Sequence, residues 1–412
     1  LKGYNIGQGN TIKNVLPRES NNPWMLANDV NNSFNRNQVF GNIMATYNFT
    51  PKLSLMARMT IDKMDEVRES KIGQGFSQEL KNGAYGISNS THFERNNDVL
   101  LSYKDNFGDF SVNVSAGGNV RYSKSFNVSN SSKPGAGLTL PNLFTLSNIS
   151  NIALNYSSAR YEKQVNSVYG TANLGWKEAV FIDLTARNDW SSTLPAANRS
   201  FFYPSASLSV LINEFVPMNN VDLLKVRGSL ARTGYDTDPY RLLQVYANGG
   251  NWGEALMLNK QTNLLNPNLK PEQITSQEYG VEAKLYGDRV RFDGTYYIMD
   301  DRNQIFPVPI APSSGFTSIN INAGLLQSKG FELVLGGTPL KTNDWTWDLN
   351  LNFTQNQTRV LELADGVSYV EPWSQAGVAN RGYVKGATLP DGSKADGLLG
   401  NLYTRKTLRV TD

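Results

Sequence analysis

The sequence predicts an all-β fold, specifically an antiparallel up-and-down transmembrane β-barrel segment of about twelve strands. Three observations predict it. Apolar and polar residues alternate with period two in many short segments, the connections between these segments alternate between short and long, and aromatic residues gather at the segment ends. Because successive side chains of a strand point to opposite faces, each segment should have one apolar and one polar side.

The alternation defines the predicted strands one by one. In one of them Val112 and Val114 alternate with Ser111 and Asn113, and the others repeat this pattern. Most are about 9–11 residues long, which is the length that a tilted strand needs to cross a bilayer. The predicted strands are 39–50, 53–62, 98–104, 110–122, 166–176, 180–188, 203–212, 224–232, 275–286, 289–298, 328–337 and 345–355.

The connections predict which ends of the strands share a side of the membrane. Short connections rich in Gly, Asp, Asn or Pro alternate with long polar ones. Antiparallel strands place every second connection on the same side, so the short turns should be periplasmic and the long loops extracellular. The long loops are predicted at 63–97, 123–165, 189–202, 233–274 and 299–327.

Aromatic residues favour a membrane over a soluble sandwich. Trp176, Trp345 and Trp347 lie at the short-turn ends of predicted strands, and Trp190 and Tyr203 lie near the opposite ends. Two girdles of amphipathic rings are typical of two membrane interfaces. A soluble β-rich sandwich would bury such rings in its core and would not collect them at strand ends.

The alternation also predicts which side chains face lipid and which face the lumen. Lumen-facing positions should be hydrated, so polar residues are expected there. The predicted lipid-facing residues are Ile43, Leu55, Val114, Leu174, Leu184, Val281 and Leu349. The predicted lumen-facing residues are Asn42, Arg58, Asn113, Asp183 and Asp348.

Composition excludes several other classes of protein. The 412 residues are 40% hydrophobic and contain no apolar run near the ~20 residues of a transmembrane helix. A net charge of +3 without a basic aromatic cluster predicts no nucleic-acid partner. The absence of cysteine excludes disulfides, iron–sulfur clusters and thiolate zinc sites. The chain starts at Leu1 without a signal peptide, so it is expected to be an internal piece of a longer protein.

The residues give little support to catalysis. His92 is the only histidine, and it falls in the predicted polar loop 63–97, where a solvated histidine is expected. Carboxylates such as Asp183, Asp293 and Asp348 fall on the polar face of predicted strands, where hydrated lumen charges explain them. The sequence therefore predicts a protein that is not an enzyme, with no catalytic residue, no cofactor and no metal site.

Several specific motifs follow one another in a fixed order along the chain. They are Asp183-Leu184-Thr185-Ala186-Arg187-Asn188-Asp189-Trp190, Phe202-Tyr203-Pro204-Ser205, Lys225-Val226-Arg227-Gly228-Ser229-Leu230-Ala231, Asn266-Pro267-Asn268-Leu269-Lys270-Pro271-Glu272 and Ser328-Lys329-Gly330-Phe331-Glu332. In this order they resemble the SusC/RagA family of TonB-dependent outer-membrane transporters of Bacteroidetes. The resemblance begins at Asn22-Pro23-Trp24 and covers nearly the whole chain.

The resemblance implies a location, partners and an activity. It implies the outer membrane of a Gram-negative, Bacteroidetes-like cell and a barrel of roughly 22 strands with its lumen plugged. It further implies a SusD-like surface lipoprotein as a lid, TonB as the energising partner, and import of oligosaccharides or peptides. The plug domain and the TonB-contacting segment are absent from this sequence. Residues 1–412 are therefore expected to be a partial TonB-dependent receptor-like β-barrel domain.

Recognition of substrate or lid is expected in the long loops, where aromatic and amide side chains can stack on and hydrogen-bond a ligand. The candidates are Trp24, Tyr246, Asn251, Trp252, Tyr369 and Trp373. Ordinary loop packing is the alternative interpretation of these residues. Contacts to the lid are expected from loops 63–97, 123–165, 233–274 and 299–327.

Two other functions stay open at this point. A passive porin or adhesin barrel would also show the alternation, and a soluble β-rich glycan-binding module would also show short strands. One geometric expectation concerns the ends of the sheet. Since about twelve strands fall short of roughly 22, strand 39–50 should not pair with strand 345–355.

Overall fold

A computed structural model describes residues 27–74, 82–133, 137–322, 324–364, 366–375, 378–389 and 392–404. The regular structure of the described chain is nearly all β-strand, with a helical turn at 27–29 and a few single-turn 3-10 helices in the connections. One large sheet has 12 strands, and three smaller sheets have two, three and three strands. The predicted all-β class is confirmed.

The strands follow in chain order. They are β1 (Val30–Asn48), β2 (Leu53–Ile72), β3 (Ala84–Phe107), β4 (Phe110–Ser132), β5 (Leu154–Trp176), β6 (Val180–Ser191), β7 (Ser200–Leu211), β8 (Val221–Tyr235), β9 (Tyr246–Trp252), β10 (Ala255–Lys260), β11 (Asn263–Leu264), β12 (Glu272–Leu285), β13 (Val290–Arg302), β14 (Ile305–Pro309), β15 (Ser318–Asn322), β16 (Leu325–Lys341), β17 (Thr346–Glu362), β18 (Tyr369–Gln375), β19 (Val378–Tyr383) and β20 (Asn401–Thr404).

The large sheet is an up-and-down sheet. Its strand order is β1-β2-β3-β4-β5-β6-β7-β8-β12-β13-β16-β17, so neighbours in the sheet are neighbours along the chain apart from the small elements inserted in the connections. Each pair of neighbouring strands in this sheet from β5 to β17 is antiparallel. Within the described residues no ladder joins β1 to β17, as the shortfall of strands predicts.

The short turns use backbone conformations that tight antiparallel hairpins require. Lys177 and Glu178 between β5 and β6 both have φ 53°, and Gly287 and Asp288 between β12 and β13 have φ 67° and 64°. Positive φ at the centre of a hairpin turn matches the right-handed twist of the flanking strands. These turns therefore join neighbouring strands through connections of only three and four residues.

Four strands are much longer than the sequence predicts, and two predicted loops are largely strand. β2 runs to Ile72 and β3 begins at Ala84, so most of the predicted loop 63–97 is extended ladder. β4 and β5 shorten the predicted loop 123–165 in the same way. Accordingly, the prediction of His92 in a polar loop is wrong, because this residue lies on β3. These stretches lack an apolar face, so period-two alternation does not mark them.

The small sheets are formed by the inserted connections. β9 and β10 make an antiparallel hairpin in the predicted loop 233–274, and β11, β15 and β14 form a mixed sheet that joins that loop to the predicted loop 299–327. β18, β19 and β20 form a further antiparallel sheet after β17. The long connections thus have secondary structure of their own.

The chain divides into two compact units. The first comprises Leu1–Ala45, Arg58–Asn97 and Val120–Gln164, and the second comprises Thr46–Ala57, Asp98–Asn119 and Val165–Asp412. Each unit has a small apolar cluster of its own. The cluster of the first unit is formed by Tyr85, Leu138, Ile149 and Ala153, and that of the second by Leu194, Phe201 and Leu269.

Candidate recognition surfaces and the polar face of the sheet

The residues predicted for recognition fall on two separate elements. Tyr246, Asn251 and Trp252 lie on β9, which forms the hairpin with β10. Tyr369 and Trp373 lie on β18 of the last small sheet. The structure therefore brings these residues together as two groups, each carried by its own sheet.

Part of the predicted set lies outside the described residues. Trp24 lies outside them completely. For Asn251 on β9 and Trp373 on β18, the backbone is described but the side chain is not. Described side chains remain for Tyr246, Trp252 and Tyr369.

The β9–β10 hairpin presents apolar side chains to solvent. Trp252 pairs with Ala255 at the tip and is 79% exposed. Leu256 and Leu258 on β10 are 61% and 60% exposed. A two-stranded hairpin alone is at best marginally stable in water, and exposed apolar patches mark interaction sites. The hairpin is therefore an exposed apolar surface on a two-stranded element.

The base of this hairpin is tied to the mixed sheet. Tyr246 pairs with Lys260 there, and the Lys260 ammonium lies 3.6 Å from the centroid of the Phe316 ring. The Thr317 amide donates to the Thr262 carbonyl at 2.8 Å, next to the parallel pairing of β11 with β15. These contacts fix the base of the hairpin while its tip stays in solvent.

Tyr369 packs within its own sheet. Its ring lies 5.1 Å from the ring of Tyr383 across the β18–β19 ladder. The Arg381 guanidinium lies 4.8 Å from the Tyr369 ring centroid. Tyr369 therefore has ring contacts within its own sheet, and its contact with a ligand or the lid stays a prediction.

The predicted lumen-facing residues share one polar face. The Asn113 amide donates to Asn173 at 3.4 Å, Asn173 donates to Asp183 at 2.6 Å, and the Ser207 hydroxyl donates to Asp183 at 3.2 Å. This ladder crosses four strands, β4 to β7, and lines a groove of about 530 Å³. Between β1 and β2, the Gln38 side chain donates a hydrogen bond to Asp62 at 2.9 Å, so the even-numbered residues of both strands share one face. Asn42 and Arg58 are among these residues.

The predicted lipid-facing residues share the opposite, apolar face. Val281 pairs with Val226 on β8, and Val226 pairs with Val210 on β7. Leu174 pairs with Ile182 on β6. Most of the predicted set is strongly exposed in the structure, including Ile43, Val114, Leu184 and Leu349. The division of the two predicted sets between opposite faces is confirmed, and the apolar face lies open in a way that lipid would cover.

An arginine network crosses three strands on the polar face. Arg227 on β8 donates to Asp293 on β13 through both terminal nitrogens, at 3.0 and 2.8 Å, and to the Thr295 hydroxyl at 2.6 Å. The Arg227 side chain reaches Asp293 by passing over Gly280 of β12. A Cβ atom added to Gly280 would lie 2.5 Å from Arg227 Nε. Arg291 makes a longer pair with Asp348, at 3.7 Å.

Sequence reasoning missed a buried polar cluster near the loop ends of β6 and β8. Ser191 is 1% exposed, and its hydroxyl donates to Asp236. Thr193 and Asp189 are also buried there. The sequence does have a run of Asp, Ser and Thr residues at the end of β6 and just after it, but such a run is equally typical of a solvated turn.

The described residues give two negative findings. Among them, no group of three or more His, Asp or Glu side chains converges as a metal site requires. No helix in the described ranges has the length and apolar character that a bilayer crossing by a helix requires.

Comparison with known proteins identifies the fold. The family model for the TonB dependent receptor-like β-barrel matches residues 3–394. TonB-dependent receptor P3 of Formosa agariphila is 26% identical over 380 residues, which are 88% of this chain and 37% of that relative. TonB-dependent receptor SusC of Bacteroides thetaiotaomicron is 26% identical over 212 residues, or 48% of this chain and 21% of that relative.

A solved structure of the RagAB peptide transporter shares the fold. It superposes with a TM-score of 0.76 at 21% identity and covers 88% of this chain and 41% of that one. The chain thus spans about two fifths, or less, of the length of these three proteins. The chain is part of an outer-membrane protein of a Gram-negative cell, and it belongs to the family of TonB-dependent receptor-like β-barrels.

Proposed function

We propose that this chain is part of a SusC-like TonB-dependent importer of oligosaccharides or peptides. Residues 1–412 form a partial barrel domain in this proposal, and the remaining strands, the plug domain and the TonB-contacting segment belong to a longer polypeptide. The observation that carries it is the 12-stranded sheet with one exposed apolar face and one hydrogen-bonded polar face, matched by the family over residues 3–394.

The proposed partners are TonB and a SusD-like surface lipoprotein. TonB supplies the energy through the plug region, and the lipoprotein acts as a lid over the extracellular loops. Relatives named TonB-dependent receptor, and a structural neighbour named a peptide transporter, support a transport role. In this proposal the chain catalyses no reaction, since the polar face serves as a hydrated wall.

The β9–β10 hairpin is the proposed lid contact. Its exposed Trp252, Leu256 and Leu258 provide the apolar area that a protein interface buries at its centre. The anchored base at Lys260 and Phe316 holds that area in place before the lid binds, which reduces the entropic cost of association.

Energised uptake tests the import function. The full-length gene is deleted in its host, and uptake of labelled oligosaccharides and peptides is measured with and without a protonophore. The proposal expects that one substrate class depends on the gene and on the protonmotive force. Gene-dependent uptake that persists in the protonophore would identify a passive porin instead.

Co-purification tests the lid contact. Trp252→Ser combined with Leu258→Ser should reduce recovery of the lipoprotein with the full-length barrel. The matched control is Val216→Ser, because Val216 is also an exposed apolar residue but lies in the short turn between β7 and β8. Unchanged recovery with the hairpin variant would remove the hairpin from the interface.

A further inference from the structure

A polar groove lies on the long strands of the first unit, mostly within the predicted loops 63–97 and 123–165. It has a volume of about 440 Å³ and is formed by β1 to β4. These parts of the strands lie more than ~11 residues from the short turns and so beyond a bilayer crossing. The lining includes Phe34, Arg68, Ser70, Ser88, Ser129 and Ser131.

The named lining residues share one face of the sheet. The Arg36 side chain bonds Glu66 across β1 and β2, and the Asn127 amide donates to the Ser90 hydroxyl across β3 and β4 at 2.7 Å. Alternation then places the even-numbered residues of β1 to β3 and the odd-numbered residues of β4 on this face. Serine hydroxyls both donate and accept hydrogen bonds, as sugar hydroxyls do.

Two arginines are held at one end of the groove by a single buried carboxylate. Glu66 is 5% exposed, and it accepts from Arg36 at 2.7 Å and from Arg68 at a short distance. Their hydrogen bonds, Arg68 first, hold the pKa of Glu66 below its ordinary value, so it stays ionised at neutral pH. Two guanidinium groups therefore face one negative charge, and this end of the groove is cationic.

A second carboxylate does not neutralise this end. Glu69 also borders the groove, but alternation turns its carboxylate away from Arg68, to the opposite face of β2. There its carboxylate accepts from the Tyr85 hydroxyl at 2.8 Å and pairs with Lys71 at 2.8 Å. The excess positive charge of Arg36 and Arg68 stays on the groove side.

Phe34 further restrains both arginines. The Cζ atoms of Arg36 and Arg68 each lie 5.8 Å from the Phe34 ring centroid, within the range of a cation–π contact. The arginines nevertheless remain accessible, with side chains 43% and 61% exposed. Restrained but accessible guanidinium groups lose little entropy when they bind an anion.

The strand topology favours a glycan over a peptide in this groove. Peptides commonly bind to sheets by pairing with an open strand edge. β1 is at the edge of the sheet within the described residues, but β2, β3 and β4, which carry most of the lining, each have a neighbour on both sides, so their backbone groups are already paired. Recognition on this face must come from side chains, and those are hydroxyls, amides and the arginine pair.

We propose that this groove binds an acidic oligosaccharide, with Arg36 and Arg68 on a carboxylate of the sugar and the serines on its hydroxyls. The inference deepens the proposed import function and rests on it for the substrate class. In this inference the groove binds an anionic glycan, and Arg68, which lines the groove, is the main residue that selects it.

Equilibrium binding to the purified full-length protein tests the site. The probes are hexagalacturonate, neutral maltohexaose and a glutamate-rich hexapeptide, titrated calorimetrically at low and high salt. Hexagalacturonate should bind, and Arg68→Gln should weaken it by about tenfold or more, since a hydrogen bond to a charged group contributes ~1.5–3 kcal/mol. Binding should weaken with added salt, whereas maltohexaose binding should not respond to the substitution.

The matched control is Arg95→Gln, which removes the same charge from an exposed residue on the other face of β3. Ser88→Ala adds a milder variant that keeps the arginines and should weaken hexagalacturonate by a few fold. Equal effects of Arg68→Gln and Arg95→Gln, or no binding of hexagalacturonate, would overturn the proposal. So would tighter, Arg68-dependent binding of the hexapeptide.

The two experiments distinguish a failure of the glycan site from a failure of the proposed import function. If Arg68-dependent binding is found but uptake is independent of the protonmotive force, the glycan site is supported and the energised import function is contradicted. If uptake is energised but hexagalacturonate does not bind, the import function is supported and the glycan site is contradicted.

Discussion

Leu184 shows how one residue reports the membrane-facing side of the sheet. It lies near the middle of β6 with its side chain 42% exposed, and its neighbours across both ladders are Ala172 and Ala206. An arginine in lipid at the bilayer midplane costs ~2–4 kcal/mol. We expect Leu184→Arg to lower the free energy of unfolding of the full-length protein by about that amount, measured by urea titration in lipid vesicles.

The adjacent residue provides the control for this prediction. Thr185 lies on the polar face, where its hydroxyl bonds that of Ser205 at 2.6 Å. Thr185→Arg introduces the same side chain on the hydrated side and should cost much less. Equal destabilisation by the two variants would contradict the assignment of the faces.

Gly280 is the residue on which the arginine network depends. An added Cβ would lie 2.5 Å from Arg227 Nε and would displace the guanidinium from Asp293 and Thr295. We expect Gly280→Ala to destabilise the protein by ~1–3 kcal/mol through this overpacking. The measurement is again the free energy of unfolding.

Gly337 offers a matched comparison for Gly280. It also lies in the ladder of a long strand, but the nearest atom to an added Cβ is 4.0 Å away. Gly337→Ala should therefore change stability little. If both substitutions cost the same, the loss reflects alanine in a strand and not the displacement of Arg227.

At the scale of elements, the β9–β10 hairpin is expected to depend on its partner for protection. Its backbone bonds join only two strands, and apolar side chains on it are exposed. Amide hydrogens of 246–260 should exchange rapidly in the barrel alone and slowly when the lipoprotein is bound. Hydrogen–deuterium exchange with mass spectrometry measures this, and the ladder of β12 with β13 is the internal control, since its exchange should not change.

The lengths of β2 to β5 show why element boundaries outside the membrane escape sequence reasoning. Within the bilayer, lipid forces every second residue to be apolar, so the strand can be read from the pattern. Beyond it both faces are wet, and Glu66, Arg68 and Ser70 carry no periodic signal. Pairing with neighbouring strands extends the ladder there, and that pairing is a property of the sheet.

At the scale of the whole molecule, the two outer strands of the large sheet should require further strands. β1 and β17 end the sheet order without pairing to each other, within the described residues. In hydrocarbon each unpaired backbone group costs several kcal/mol, so an open edge is not tolerated. We expect residues 1–412 expressed alone to give no heat-resistant, membrane-inserted barrel.

The measurement is the heat-dependent shift in gel mobility after refolding into vesicles, with the full-length protein as the positive control. A heat-modifiable barrel formed by residues 1–412 alone would show that the edges close on each other in the membrane. That result would favour a small self-contained barrel.

The local pattern of residues was sufficient to predict the fold class, the two faces and the positions of the membrane-crossing strands, because lipid imposes a period-two constraint on each strand. It also indicated the family, through motifs such as Asp183 to Trp190. It did not determine where strands end outside the bilayer, nor that β9 and β10 would pair. The tertiary structure decided the contacts that join distant positions, such as Arg227 with Asp293 and Glu66 with Arg36. These depend on the register between strands, which the alternation within a single strand leaves open.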